Sequence, residues 1–198
     1  MKRILYISGL SLIIAAYTSC SVKEYNPVSV SEESALRNFD GWKGFQSNCY
    51  TGLWGSLIGL QYGLVSELGT DLWTFPYNNH NQFRDIMAYE EFTTSSGVVN
   101  STWTFAWGSI KDCNKTVELS TLLTNGNADD IKVLVAEAKL LRAYYYSVLV
   151  AQFGKVPLLL SSGTVLAPKR DSISTIYAQI VSDLRTAFND LKVTPFDN

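Results

Sequence analysis

The chain of 198 residues holds one histidine, three cysteines and two methionines. One imidazole and three thiols do not furnish a His-rich or Cys-rich metal centre. Three cysteines are also too few for a disulfide-dense scaffold. Charge is scarce: Asp, Glu, Lys and Arg make up 17% of residues, and the net charge is −2. Nucleic-acid binders carry a basic field that this balance lacks, so no nucleic-acid partner is expected. Neither a metal nor a cofactor is expected. Nothing is long and apolar enough to span a bilayer. Ile4–Ala16 and Gly52–Leu60 both fall short of the roughly 20 apolar residues a membrane helix needs. No Gly-x-Ser-x-Gly nucleophile elbow occurs, and no catalytic residue is expected.

What is present is apolar and aromatic. Hydrophobic residues are 46%, with five Trp, 11 Tyr and nine Phe, enough for a packed core and against wholesale disorder. The first residues read as an address. Lys2 and Arg3 form a basic head, Ile4–Ala16 an apolar signal segment, and Tyr17-Thr18-Ser19-Cys20 follows. A small residue before a cysteine at that place resembles a bacterial lipobox. The resemblance implies a signal peptide over 1–19, cleavage before Cys20 and lipidation of Cys20, which anchors a protein to a membrane without spanning it. An ordinary secretory signal with an incidental cysteine is the alternative. Residues 20–30 are polar, carry Pro27 and lack periodicity, as a tether would.

The rest, 31–198, reads as helices. Ser29-x-x-Glu32 fits a capping box, and Phe39, Trp42, Phe45, Cys49 and Leu53 recur at helical spacing. A second helix is expected over 102–123, with Trp103, Trp107, Ile110 and Val117 as its stripe and Asn114 on that stripe. A buried Asn must have partners, so Asn114 is expected to bond a neighbouring backbone. The strongest helix runs over 129–152, with Asp129 and Asp130 at its positive end. Apolar residues cover most of its circumference, so it packs on several sides, and Lys132 and Lys139 mark its wet strip. Arg142 lies in the apolar stripe and needs a carboxylate or carbonyl partner there. Gly154 and Pro157 end this helix; Val156–Leu160 is an extended apolar run. A last helix, 172–191, has Ile173, Ile176, Ile180, Leu184, Ala187 and Leu191 in register and Asp171 or Ser172 as its cap. The helix pairs have tetratricopeptide-type lengths, without the standard consensus. The expected fold is mainly α: a tetratricopeptide-like scaffold of helical pairs with long loops, its last pair incomplete. Gly55, Gly59 and Gly63 have a close-packing spacing. Cys49 and Cys113 either pair in an oxidising compartment, if their Cα atoms lie within about 7 Å, or stay as buried thiols.

Four segments carry a family resemblance. Ala136-Glu137-Ala138-Lys139-Leu140-Leu141-Arg142-Ala143-Tyr144-Tyr145-Tyr146 resembles the hallmark helix of the SusD/RagB family, outer-membrane glycan-binding lipoproteins of Bacteroidetes. Gln152-Phe153-Gly154-Lys155-Val156-Pro157-Leu158 resembles the turn that follows it, and Asp112–Glu118 resembles the preceding helix. Arg170-Asp171-Ser172 with Ile176, Tyr177, Ile180, Asp183 and Leu184 resembles the next one. The family is much longer, so residues 31–198 are expected to be its N-terminal helical domain, with the C-terminal part missing. The resemblance implies a non-catalytic surface lipoprotein of the outer membrane. Such a protein captures oligosaccharides, or peptides, and hands them to a TonB-dependent, SusC-like transporter.

One loop has the chemistry for such a ligand. Trp73–Phe83 reads Trp-Thr-Phe-Pro-Tyr-Asn-Asn-His-Asn-Gln-Phe. Aromatic plates cover the apolar faces of sugars, and side-chain amides both donate to and accept from their hydroxyls. Asp71, Trp73, Tyr77, Asn78 and Asn79 are the expected glycan-binding residues, with Asp71 accepting from a hydroxyl. The same residues also suit a plain loop, its aromatics pinned to the core. Glu67 and Asp71, one helical turn apart, would be the acid/base pair of a glycosidase. A helical scaffold that binds a peptide or protein in its concave face is the other alternative. Asp171-Ser172-Ile173 matches an O-glycosylation sequon and a helix cap equally well.

Overall fold

The structure is a computed structural model, and it describes residues 32–53, 67, 69–72, 86, 89 and 93–191. The described residues form α1 (Glu32–Leu36), α2 (Phe39–Gln46), a 3₁₀ turn (Ser47–Tyr50), α3 (Gly97–Ser120), α4 (Ala128–Phe153) and α5 (Ile173–Asp190). Among the described residues there is no strand. None of the described helices is long and apolar enough to cross a membrane. Gly55, Gly59 and Gly63 lie outside the described residues, as do the signal segment and tether.

The helix α4 is the axis of the fold. Asn127 caps it by accepting from Asp129 N, and Asp129 and Asp130 occupy its first turn, where the helix dipole favours negative charge. Val133, Leu134, Ala136, Ala138, Leu141, Tyr145, Tyr146 and Leu149 are all buried. They occupy several sides of the helix, so α4 must pack on more than one neighbour. One neighbour is α3, which runs antiparallel: Trp103 near its start stacks edge-on against Phe153 at the end of α4, 5.0 Å between ring centres. The other is α5, also antiparallel. Lys132 at the start of α4 pairs with Asp190 at the end of α5 at 2.9 Å. The expected wet strip is half right: Lys132 is exposed and Lys139 half-buried.

Gly154 ends α4 at φ +70 and its N–H bonds Val150 O at 3.0 Å, since a left-handed residue there suits glycine. The extended run after it does not join a sheet. Val156 O accepts from Asp171 N at 2.9 Å, and Leu158 N donates to Asp171 Oδ2 at 2.8 Å. Val156 and Pro157 are buried while Leu160 is exposed.

The N-terminal helix is broken rather than continuous. Asn38 stops α1 and starts α2, its side chain accepting from Asp40 N. Trp42 is fully buried and donates its indole N–H to Thr116 O at 3.0 Å. The α3–α4 turn docks beside it, with Phe39 N bonded to Asn125 Oδ1 at 2.8 Å and Thr124 N to Arg37 O at 3.0 Å. Gly126 is required there. Its φ is +110, and a Cβ would sit 2.6 Å from the Phe39 ring. The helix α3 begins at Gly97, earlier than its apolar stripe indicates, and Val98 is buried.

Cys49 and Cys113 are free thiols, both fully buried. The side-chain hydrogen bond to Cys49, together with burial, holds the Cys113 thiol well above its usual range. The pair therefore belongs to the core.

Candidate functional site

The expected recognition loop is bracketed by two described stretches that meet. Residues 69–72 form a bend in which Thr70 Oγ1 donates to Glu67 O at 2.7 Å and accepts from Leu72 N at 3.2 Å. Tyr89 returns to this bend and donates its hydroxyl to Gly69 O at 3.2 Å. Tyr89 has φ 53, an uncommon value for a side-chain-bearing residue. Gly69 has φ +92, and a Cβ on it would lie 2.9 Å from Ile86 O and 3.0 Å from Tyr89 Oη. The closeness of the two stretches thus depends on a glycine.

Asp71 lies in this bend and is exposed, next to Leu72, which is 77% exposed. Trp73, Tyr77, Asn78 and Asn79 lie outside the described residues, as does Cys20. Glu67 and Asp71 are on a turn, not on a shared helix face. Among the described residues no group of His, Cys, Asp or Glu is gathered as a metal site.

The helical scaffold is fixed by a buried polar chain. Arg142 donates from Nε to Asp183 Oδ2 at 2.8 Å and from NH2 to Asp183 Oδ1 at 2.7 Å, a two-pronged pair. Its third bond, from NH1, goes to Asn114 Oδ1 at 2.8 Å. Asn114 Nδ2 then donates to Leu159 O at 3.0 Å and Ser161 O at 3.1 Å. One line of bonds thus ties α5, α4, α3 and the 159–161 loop. Arg142 and Asn114 are structural, as the need for buried partners indicates. Tyr146 adds a further clamp on the loop, donating to Leu159 O and accepting from Leu159 N, both at 2.8 Å. Burial pushes the Tyr146 phenol up to about 12. Glu118 holds the loop's far side, accepting from Ser162 N at 3.0 Å and from the Ser162 hydroxyl.

Sequence reasoning does not single out Glu118 or the cavity its loop encloses. That cavity, about 230 Å³, lies between α3 and residues 159–165. The signal available is weak: Ser161-Ser162-Gly163 reads only as a loop. Ser172 is the cap of α5, accepting from Thr175 N at 3.1 Å.

A model of the family described as starch-binding associating with outer membrane matches residues 67–195. No curated protein matches the chain. Among solved structures, surface glycan-binding protein A from Bacteroides uniformis superposes with a TM-score of 0.61 at 20% identity, over 76% of this chain and 34% of that one. A SusD superfamily protein from Bacteroides vulgatus gives 0.68 at 19% identity, over 79% and 35%. A laminarin-binding SusD-like protein gives 0.63 at 19%, over 78% and 34%. The chain spans about a third of the length of the solved structures it matches. The helical-pair scaffold expected from the sequence is the fold these structures share with α3, α4 and α5. The family match reaches from the Glu67 turn to beyond α5, and the chain belongs to the SusD-like family of starch-binding, outer-membrane-associated proteins.

Proposed function

We propose that the protein is a lipid-anchored, non-catalytic glycan-capture protein of the outer-membrane surface. It holds an oligosaccharide and passes it to a TonB-dependent, SusC-like transporter. The observation that carries the reading is the family match over residues 67–195, which takes in the whole aromatic and amide loop. The lipobox at Cys20 supplies the anchor. Trp73 and Tyr77 stack on sugar faces, Asn78 and Asn79 bond neighbouring hydroxyls, and Asp71 accepts from a hydroxyl at the base of the loop. Recognition of this kind needs neither a shifted pKa nor a positioned acid and base, in contrast to hydrolysis.

The test is glycan binding with a simultaneous assay for turnover. Laminarin, xyloglucan and starch oligosaccharides are titrated by calorimetry, and release of reducing ends is followed in the same samples. Binding without release is expected. Trp73→Ala is expected to raise the Kd about tenfold or more, the scale of losing one aromatic anchor. Turnover that disappears on Asp71→Asn would replace this reading with a glycosidase.

A further inference from the structure

The two buried thiols lie where two stretches of backbone come very close. On α3, Ser109, Cys113 and Thr116 follow one another at spacings that share a helix face, and all three are buried. The chain from Cys49 to Gly52 lies against that face. At one end Gly52 meets Ser109: a Cβ on Gly52 would lie 3.2 Å from Ser109 Cβ, nearer than the roughly 3.8 Å that separates the Cβ atoms of a disulfide. At the other end Cys49 Sγ is 3.4 Å from Thr116 Oγ1. Cys113 stands between Ser109 and Thr116 in the row, and its thiol shares a hydrogen bond with that of Cys49.

The turn that carries Cys49 is tied down on both sides. Before it, Trp42 donates to Thr116 O at 3.0 Å and Gln46 Nε2 donates to Glu137 Oε2 at 2.9 Å. After it, Tyr50 donates to the same Glu137 oxygen at 3.0 Å. The Tyr145 hydroxyl holds Cys49 O itself. The folded chain therefore keeps the two thiols face to face.

We infer that Cys49 and Cys113 are a cross-linking pair: the structure is the reduced form, and folding in oxidising surroundings joins them by a disulfide that staples the N-terminal arm to α3. The bond also closes residues 50–112 into a covalent loop, and Asp71, Trp73, Tyr77, Asn78 and Asn79 all lie within it. Both ends of the segment that carries the proposed capture residues are then held at one point. The oxidising surroundings rest on the surface location proposed above; the facing of the thiols does not. The chemistry is exchange with a disulfide oxidant, here oxidised glutathione. One cysteine thiolate attacks a glutathione sulfur and expels a glutathione thiolate. The other cysteine thiolate then attacks the protein sulfur of the mixed disulfide and expels the second. One S–S bond replaces another, two electrons leave with the two glutathiones, and the two protons shed by the cysteines end on them. Both thiols are fully buried once folded, so exchange takes place before the arm has docked.

The experiment refolds the full chain from urea and dithiothreitol into a mixture of oxidised and reduced glutathione, blocks free thiols with iodoacetamide and maps tryptic peptides. Cleavage after Lys43, Arg84, Lys111 and Lys115 puts Cys49 in peptide 44–84 and Cys113 in peptide 112–115, apart from Cys20. A linked 44–84/112–115 pair is expected to dominate after refolding. In the same glutathione mixture with urea retained, pairs with Cys20 are expected to be as common. The cross-link is expected to raise the Tm by about 10 °C, the scale for closing a loop of about 60 residues in a chain of this size, and dithiothreitol is expected to reverse the rise. Cys113→Ala is expected to remove the linked peptide and the difference between its oxidised and reduced melts; the parent's peptide map tests the pairing whether or not that variant folds. The inference is overturned if Cys49 and Cys113 are both alkylated after oxidative refolding, or if pairs with Cys20 are as abundant as in urea. It falls equally if oxidation leaves the Tm unchanged or lowers it. A chain found away from the cell surface would sink the proposed location and leave the pairing in glutathione standing.

Discussion

The helix α4 is clamped between two interfaces made of different materials. Toward α3 and the 3₁₀ turn it presents tyrosines and alanines to uncharged partners: Tyr145 donates its hydroxyl to Cys49 O in that turn, and Tyr146 meets Trp107 of α3 edge-on. Toward α5 it presents aliphatic residues around one buried ion pair, Arg142–Asp183, with side chains 6% and 3% exposed. A neutral interface fails by losing volume, in proportion to what is removed. A buried ion pair fails by leaving a charge behind, which costs far more than the pair contributes. The outer side of α5 differs again, with Tyr177, Val181, Leu184 and Phe188 all exposed, Phe188 by 87%. Among the described helices α5 has α4 as its main support, so the ion pair sits where the packing is one-sided.

The comparison breaks most sharply at Asp183. Asp183→Ala strands the Arg142 guanidinium and also removes the acceptor of Gln179 Nε2, at 3.0 Å. The expected loss is about 3–5 kcal/mol, the scale for halving a buried pair. Urea unfolding measures it. Hydrogen exchange locates it, with protection falling in α5 well before α3. Replacing both partners by apolar residues, Arg142→Met with Asp183→Leu, is expected to restore much of the loss. A double variant as unstable as the single one would show that the chain of bonds through Asn114 matters more than the stranded charge.

A smaller effect separates the interfaces by pH. Burial raises the Tyr146 phenol to about 12, while an unfolded tyrosine titrates near 10. Between about pH 10 and 12 the unfolded chain therefore releases a proton that the folded chain keeps. The contribution is complete below pH 10 and is lost as pH rises through 12. Burial also raises Tyr145 and Tyr50. Alkaline destabilisation is thus expected to come from the side of α4 that faces α3 and the 3₁₀ turn, where these phenols lie. Tyr146→Phe should flatten that limb in urea titrations from pH 8 to 11. At pH 7 it should cost about 1–3 kcal/mol, because Leu159 N–H loses its acceptor and Leu159 C=O keeps only the Asn114 amide. An unchanged alkaline slope in the variant would assign the limb to other tyrosines.

How much of this is legible in the sequence depends on the range over which the cause acts. The periodicity predicts α4 over 129–152, and it occupies Ala128–Phe153; it predicts α5 over 172–191, and it occupies Ile173–Asp190. Their periodicity, caps and the Gly154 stop are local. That Arg142 is buried and paired also follows from its place in an apolar stripe. That Asp183 is the partner does not, because the two are brought together by the α4–α5 packing. The early start of α3 is hidden because Val98, Val99 and Asn100 are poor helix formers, and Val98 is helical by burial against the core. The break at Asn38 is hidden behind an apolar spacing that runs across it. Of the candidate binding residues only Asp71 falls among those described, and the aromatic loop remains a reading of its chemistry.

The smallest effect tests how marginal the one-sided helix is. Ser172 caps α5, accepting from Thr175 N at 3.1 Å, and its hydroxyl also bonds those of Ser174 and Thr175 at 2.8 and 2.7 Å. Ser172→Ala is expected to cost about 1 kcal/mol, as loss of a cap does. That amounts to about 2–4 °C in Tm for a chain of this size. Ser172→Asp keeps an acceptor at the positive helix end and should hold the Tm. The matching change on α4, Asn127→Ala, removes the acceptor of Asp129 N at 2.8 Å and is chemically equivalent. Both should lower the global Tm alike, since either helix must unfold with the core. Exchange will not treat them alike. Losing the Ser172 cap should open the first turns of α5, where Ile173, Tyr177 and Val181 are exposed. Losing the Asn127 cap should leave α4 protected beyond its first turn, because Val133, Leu134 and Ala136 are buried. Equal fraying in the two variants would mean that α5 is held as firmly as α4, and the contrast between the two interfaces would have no dynamic consequence.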